Sequence, residues 1–148
     1  MQAEMAEIVV KTDPTMEDEE IVRRGLIASN TEAWGKPGGY APFVFHVTDP
    51  VSGETGGATG FGSFDWVFLE LLHVPRGLRG QGYGSALMRK VEEFALAHGF
   101  VGVWLDTFSF QARPFYEKLG YSVFGTHEDN PVGGRRFFMQ KRLAPSSN

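Results

Sequence analysis

A glycine-rich segment between an apolar run and a helical pattern constrains the fold more than any other feature. Residues 76–85 contain four glycines together with Arg76 and Arg79, and they follow the nearly continuous apolar run 66–74. Apolar residues then recur at helical spacing from residue 87 to residue 95. Glycines that lead into a helix bring backbone N–H groups together at the positive end of its dipole. The segment therefore predicts an anion-binding loop, and the two arginines favour a diphosphate over a carboxylate.

Two known nucleotide loops and a plain turn are alternatives for this segment. A Walker loop is excluded because no Gly-Lys-Ser or Gly-Lys-Thr is present. A dinucleotide fingerprint is closer, since Gly80, Gly82 and Ser85 nearly match it and Asp106 follows about twenty residues later. It fails in detail, because residues 75–79 separate the loop from the strand. A nicotinamide-binding fragment and a flexible turn with solvated arginines stay open as weaker alternatives.

The remaining pattern predicts one α/β domain over residues 1–148, with a frayed tail from about Ala144. Its sheet is expected to be mixed and mostly antiparallel, flanked by helices, with a parallel crossover at the centre. The run 66–74 is expected to be buried on both faces in the middle of that sheet. The predicted strands are 6–11, 43–48, 59–64, 66–74, 100–107, 121–126 and 136–142. The first predicted helix begins near Asp13 or Thr15 and ends near Gly35. Two further helices are predicted over residues 82–98 and 111–119.

Composition narrows the classes of function. The 148 residues include no cysteine, which excludes disulfides, thiolate zinc sites and a cysteine nucleophile. The four histidines show no metal-ligand spacing, so no metal is expected. A formal net charge of −4 disfavours nucleic acids and anionic membranes as partners. Residues 1–11 resemble no signal peptide and no run is long enough to cross a membrane, so a cytoplasmic location is expected.

Two motifs resemble those of the GNAT superfamily of N-acetyltransferases. The first is Arg79, two residues, Gly82, Tyr83 and Gly84, which resembles the acetyl-CoA loop of that family. The second is the segment 112–121, in which alanine, tyrosine and glycine followed by an aromatic residue stand in the family's order. Residues 66–121 carry the likeness, which implies the GNAT fold and acetyl-CoA as co-substrate. Relatives often pair through edge strands, so a homodimer is possible.

The resemblance also implies roles for individual residues. Backbone groups of Leu72 and Val74 would lie along the pantetheine arm, and the Leu72 amide would polarise the thioester carbonyl. Tyr116 would stand near the sulfur as general acid, and Ser109 stands where many members have an asparagine that contacts the coenzyme. The residues implied to hold the pyrophosphate are Arg79, Gly80, Gln81, Gly82, Tyr83, Gly84 and Ser85.

The chemistry of acetyl transfer to an amine points to further candidates. An alkyl amine with a pKa of about 10.4 is neutral in roughly one molecule in a few thousand at pH 7. A base or a desolvated site must therefore help the amine to lose its proton. Glu70, on the central strand, is the first candidate for the base, directly or through a water, and Asp106 is its rival. A structural ion pair is the alternative role for Glu70. His73 either contacts the acceptor or packs in the sheet.

The function predicted from these residues is transfer of an acetyl group from acetyl-CoA to a primary amine by direct attack. Its acceptor is expected to be a small molecule, and the acidic balance favours a cationic one. The alternative is a non-catalytic module that binds or senses acyl-CoA. Such a module would need the loop but neither Tyr116 nor Glu70.

Overall fold

The computed structural model describes residues 4–143, and the chain divides into two compact units at Gly38 and Gly39. In the first unit, α1 spans Met16–Trp34. Thr15 caps its start by accepting a hydrogen bond from the Asp18 N–H, and the Asp18 carboxylate accepts one from the Thr15 N–H in return. Gly35 ends it in the left-handed conformation. The predicted limits of this helix are therefore confirmed.

The predicted strand over residues 6–11 is wrong. These residues belong to no strand, and the side chains of Ile8, Val9 and Val10 are exposed. Consecutive apolar residues form a strand only where a neighbouring strand accepts and donates the backbone hydrogen bonds, and this segment has no such ladder. The sequence shows the β propensity of the segment but not whether a partner is present.

The second unit contains a six-stranded sheet with two helices. Its strands lie in the order β1-β2-β3-β4-β6-β5, and every neighbouring pair is antiparallel except β3 and β4. The α/β class and the mixed, mostly antiparallel sheet with a parallel central crossover are thus confirmed. The strands are β1 Ala41–Thr48, β2 Thr55–Ser63, β3 Trp66–His73, β4 Gly102–Phe108, β5 Ser122–Glu128 and β6 Arg135–Arg142; the helices are α2 Tyr83–Ala97 and α3 Arg113–Lys118.

One face of the sheet forms the core. The α2 side chains Leu87, Val91 and Ala95 are buried there, as their spacing predicts, and the Phe94 ring packs at a tilt against Phe43 of β1. Strand β2 begins four residues before the predicted start at Thr59. Gly56 and Gly57 lie in this added part of the strand and, having no side chains, let the backbones of β3 and β1 approach β2 closely.

The expectation that the run 66–74 is buried on both faces is also wrong. Val67 and Leu69 are buried, but Leu71 is 62% exposed. A β-bulge causes the change: Thr59 of β2 pairs with Leu71 and Gly60 with Leu69, so that Glu70 has no partner in the ladder. The run is central in the sheet, but only its first half has alternating burial.

The same bulge marks the point where β3 leaves β4. The parallel pairing runs from Trp66 opposite Gly102 to Leu69 opposite Leu105 and then stops, although both strands continue. Beyond it, the backbone of β3 from Glu70 to His73 has no partner on its β4 side. Because the carboxyl ends of parallel strands share one edge of a sheet, a gap opens there between the two strands. We call it the β3–β4 gap.

Candidate active site

The glycine-rich segment leads from the end of β3 into α2. After Pro75, a turn of 3₁₀-helix covers Arg76–Leu78, and the buried side chain of Leu78 anchors it. Gly80 and Gly82 then adopt positive φ angles of 74° and 86°, which is the left-handed region that favours glycine. Helix α2 begins at Tyr83, directly after Gly82. We call residues 79–85 the anion loop.

The anion loop presents backbone N–H groups without protein acceptors. The first bond of the helix runs from the Ala86 N–H to the Gly82 carbonyl, no side chain caps the helix, and no acidic residue lies in its first turn. Within the part of the chain that the structure describes, the amides from Gly80 to Ser85 donate to no protein group. This arrangement at the positive end of a helix dipole suits a phosphate.

Other predicted members of the loop already have partners. The Arg79 N–H donates to the Arg76 carbonyl, and its Nε donates to the Val74 carbonyl at 3.2 Å. Gln81 donates from its side chain to the Gly77 carbonyl at 3.0 Å. These contacts hold the loop against the end of β3. The side chains of Arg79 and Gln81 are therefore already hydrogen-bonded. The free donors of the loop are the backbone amides after Arg79.

Tyr116 stands beside this loop, on α3. A Cβ atom added to Gly84 would lie 3.2 Å from the ring of Phe115, so the start of α2 touches α3. The Phe115 and Tyr116 rings lie edge to face, with their centroids 5.1 Å apart. The residue is 6% exposed, and its hydroxyl has no protein partner among residues 4–143. Since no fully buried polar side-chain atom of those residues lacks a partner, this hydroxyl is not fully buried.

Burial and the nearby charge of Asp106 raise the pKa of Tyr116 from 10.0 to about 12. A raised pKa means that the folded state binds the phenolic proton more tightly than the unfolded state does. The associated stability is present below pH 10 and is lost as the pH rises towards 12. The difference of about two units corresponds to about 3 kcal/mol. Tyr116 is therefore protonated throughout the neutral range.

We expect the free energy of unfolding to fall steeply between pH 10 and pH 12, and the Tyr116→Phe variant to lose less of it over that interval. Urea unfolding at a series of pH values measures both curves. Other groups titrate in the same range in both proteins, so the difference between the two curves isolates Tyr116. Parallel curves would show that the phenol has the same pKa in the folded and unfolded chains.

The two candidate carboxylates have different surroundings. Asp106 accepts two hydrogen bonds of 2.9 Å from Arg136, whose guanidinium also lies over the rings of Phe108 and Phe138. Glu70, at the bulge, is exposed and makes no hydrogen bond or ion pair with any residue from 4 to 143. The structural ion pair weighed for Glu70 is thus absent. Of the two, Glu70 has the carboxylate that is free to act on a ligand.

His73 and Ser109 make contacts that the sequence did not reveal. The half-exposed His73 ring donates from Nε2 to Glu54 at 3.0 Å, so it does not simply pack in the sheet, and its contact with an acceptor stays a prediction. The Ser109 hydroxyl accepts a hydrogen bond from the Arg135 N–H at 3.0 Å, and the Ser109 N–H donates to the Arg135 carbonyl. Ser109 fastens the segment after β4 to β6, and its contact with a coenzyme stays a prediction.

The turn between β1 and β2 supplies functional candidates that sequence reasoning missed. Asp49 is nearly buried, and Glu54 reaches both His73 and the Arg76 N–H. From the sequence, residues 49–53 (Asp-Pro-Val-Ser-Gly) indicate only a turn between two strands. Nothing in the sequence indicates that this turn lies against the segment that leads into the anion loop.

Among residues 4–143, no group of three His, Cys, Asp or Glu side chains is placed to hold a metal ion. Within the same residues, no helix combines the length and the apolar character needed to cross a membrane.

Comparisons with known proteins agree with this geometry. The family model described as Acetyltransferase (GNAT) family matches residues 7–121. An acetyltransferase of Agrobacterium fabrum is 29% identical over 127 residues, which cover 86% of this chain and 92% of that protein. The blasticidin-S acetyltransferase of Streptomyces morookaense is 35% identical over 89 residues, which cover 60% of this chain and 65% of that protein.

Solved structures match the fold. A crystal structure from Agrobacterium tumefaciens superimposes with a TM-score of 0.84 at 27% identity, covering 93% of this chain and 100% of that one. A Bacillus anthracis protein solved in complex with acetyl coenzyme A has a TM-score of 0.61 at 17% identity, covering 74% of this chain and 65% of that one. At that identity the second match bears on the fold alone.

Proposed function

Because this chain belongs to the GNAT family of acetyltransferases, we propose that it transfers the acetyl group of acetyl-CoA to a primary amine of a small-molecule acceptor. The observation that carries the proposal is the contact between the start of α2 and α3. It places the free amides of the anion loop next to Tyr116, at the end of the β3–β4 gap. A diphosphate on those amides, with its pantetheine arm along β3, would bring a thioester towards the phenol.

The residues of the chain would divide the chemistry among them. The amides from Gly80 to Ser85 bind the diphosphate, and the backbone of Leu72 in β3 and of Val74 just after it aligns the pantetheine amides. The Leu72 N–H donates to the thioester carbonyl oxygen as negative charge develops on it. Tyr116 donates its proton to the sulfur as the carbon–sulfur bond breaks. The acceptor nitrogen forms the new bond to the carbonyl carbon and loses a proton to Glu70, directly or through a water.

The charges around the gap favour a cationic acceptor. No cationic side chain of residues 4–143 pairs with Glu70, whereas the neighbouring Asp106 is neutralised by Arg136. An ammonium group would compensate the free carboxylate and lose one proton through it to the solvent, so that it attacks as the neutral amine while Glu70 is again ionised. The similarity to blasticidin-S acetyltransferase supports a small amine-bearing acceptor. The net charge of −4 would further attract a cation.

The proposal is tested by supplying acetyl-CoA and a panel of polyamines, amino acids and amino-bearing antibiotics, and measuring the release of free thiol. The expected result is thiol release that depends on one class of amine, with the acetylated amine identified by mass spectrometry. A thermal-shift titration with CoA, acetyl-CoA and NAD is run in parallel. Stabilisation by NAD alone would overturn the proposal in favour of a nicotinamide site. Stabilisation by CoA without turnover on any amine would favour a binding module.

Replacement of the two carboxylates separates the two candidate bases. We expect Glu70→Gln to lower kcat by about 10²-fold or more, because the isosteric amide cannot accept the amine proton. Asp106→Asn should lower kcat less, since both oxygens of Asp106 are already bonded to Arg136. Steady-state rates with saturating acetyl-CoA measure both effects. The reverse order, with Asp106→Asn the more damaging, would assign the base to Asp106.

A further inference from the structure

We propose that the turn between β1 and β2, residues 49–54, positions the anion loop, so that Asp49 and Glu54 set the affinity for the diphosphate of coenzyme A without touching it. The inference rests on the proposed function, because it needs the diphosphate on the loop amides. It concerns a segment that no motif marks. The contacts of the two carboxylates carry it.

Glu54 joins the end of β3 to the start of the segment that leads into the loop. Its Oε1 accepts a hydrogen bond from His73 Nε2 at 3.0 Å, and its Oε2 accepts one from the Arg76 N–H at 3.4 Å. The hydrogen bond from His73, the largest cause, holds the pKa of the Glu54 carboxyl below its usual range, and the Arg76 N–H adds to the effect. One carboxylate thus fixes the spacing between residues 73 and 76.

Asp49 supports the next residue of that segment. It is 5% exposed and accepts the Val51 N–H at 2.9 Å, and this bond is the largest cause of the lowered pKa of its carboxyl. The carboxylate lies so close to Gly77 that a Cβ atom added there would overlap its Oδ2. Gly77 in turn accepts the side-chain hydrogen bond of Gln81, inside the anion loop. Asp49 therefore contacts Gly77, whose carbonyl accepts the hydrogen bond from the Gln81 side chain of the anion loop.

Electrostatics alone predicts the opposite effect from positioning. Two carboxylates near an anion site repel a diphosphate, so removal of either charge would tighten binding if charge were all that mattered. If the turn positions the loop, removal of the same carboxylate weakens binding, because the amides lose their alignment before the ligand arrives. The sign of the change in affinity therefore distinguishes the two mechanisms.

The experiment measures the Kd of coenzyme A by calorimetry for the wild-type chain and for Glu54→Ala and Glu54→Gln. We expect Kd to rise about tenfold in Glu54→Ala and less in Glu54→Gln, which keeps one acceptor oxygen. The KM for acetyl-CoA should rise in parallel while kcat stays near the wild-type value, which a general loss of structure would not produce. Glu93→Gln is the matched control, because it removes an exposed carboxylate about 15 Å along α2 from the start of that helix. The Kd for coenzyme A should not change in this variant.

A Kd that is unchanged or lower in Glu54→Ala, in a chain with an unaltered thermal midpoint, overturns the inference. If the wild-type chain binds no coenzyme A, the proposed function fails instead, so the two failures are distinguishable.

A double-mutant cycle at Gly77 and Asp49 gives an independent test that does not depend on the Glu54 variants folding. Gly77→Ala should raise Kd, because its new methyl group displaces the Asp49 carboxylate or the loop. In an Asp49→Ala background the Gly77→Ala change should raise Kd much less, because the carboxylate oxygen that overlaps the methyl group is gone. Strictly additive effects on Kd would show that Gly77 acts without Asp49 and would overturn the inference.

Discussion

The Tyr116→Phe variant should lose about 10²- to 10⁴-fold in kcat while its Kd for coenzyme A changes little. Burial raises the pKa of the phenol to about 12, even further above the neutral range than its usual value, so it has a proton to donate. Its hydroxyl has no partner among residues 4–143 and is not fully buried. The variant removes that oxygen alone and keeps the ring that packs between Phe115 and Tyr121. Steady-state kinetics give kcat, and calorimetry gives Kd.

The neighbouring Tyr121 provides a matched control for that experiment. Its ring lies 6.0 Å from that of Tyr116, and its hydroxyl donates to Glu92 at 3.3 Å. Tyr121→Phe therefore removes the same atom from the same cluster but should lower the free energy of unfolding rather than kcat. A Tyr116→Phe variant with wild-type turnover would show that another group protonates the leaving sulfur. Equal losses of turnover in both variants would point to disturbed packing instead of proton transfer.

The central part of the fold could be predicted because local signals and tertiary structure agree there. The apolar run, the glycines and the helical spacing from Leu87 to Ala95 each indicate the same strand–loop–helix unit, and the structure contains it. The start of α1 was predictable for the same reason, since Thr15 and Asp18, which cap the helix, lie only three residues apart in the sequence. Such signals lie within a few residues of the structure that they determine.

The features that the sequence did not reveal depend on residues far apart in the chain. The bulge at Glu70 arises from the way β3 pairs with β2. The bond between Asp106 and Arg136 joins residues thirty positions apart. The contact of Glu54 with His73 likewise spans nineteen positions. Without a prediction of strand register, no local pattern shows which carboxylate is free and which is paired. The structure was therefore needed to show that Asp106 is paired and Glu70 is not, and the identity of the base stays a prediction.

The Gly82→Ala variant should raise the Kd for coenzyme A by about 10- to 100-fold. Gly82 has a φ angle of 86°, and a Cβ atom there meets no protein atom within 4 Å. The substitution causes no clash within the protein, but it costs about 1–2 kcal/mol of backbone strain. The methyl group would also add bulk within the run of amides that lack acceptors among residues 4–143, where the proposed diphosphate binds. Calorimetry measures the change in Kd, and thermal unfolding measures the strain.

Gly99→Ala separates backbone strain from interference with the ligand. Gly99 follows the other end of α2 with a φ angle of 77° and also has no atom within 4 Å of an added Cβ. The two substitutions should therefore lower the thermal midpoint by a similar amount, about a few degrees. Only Gly82→Ala should weaken coenzyme A binding, because only that end of the helix carries the free amides at the positive end of the dipole. If both variants bind coenzyme A like the wild-type chain, the diphosphate lies elsewhere, and the assignment of the anion loop is wrong.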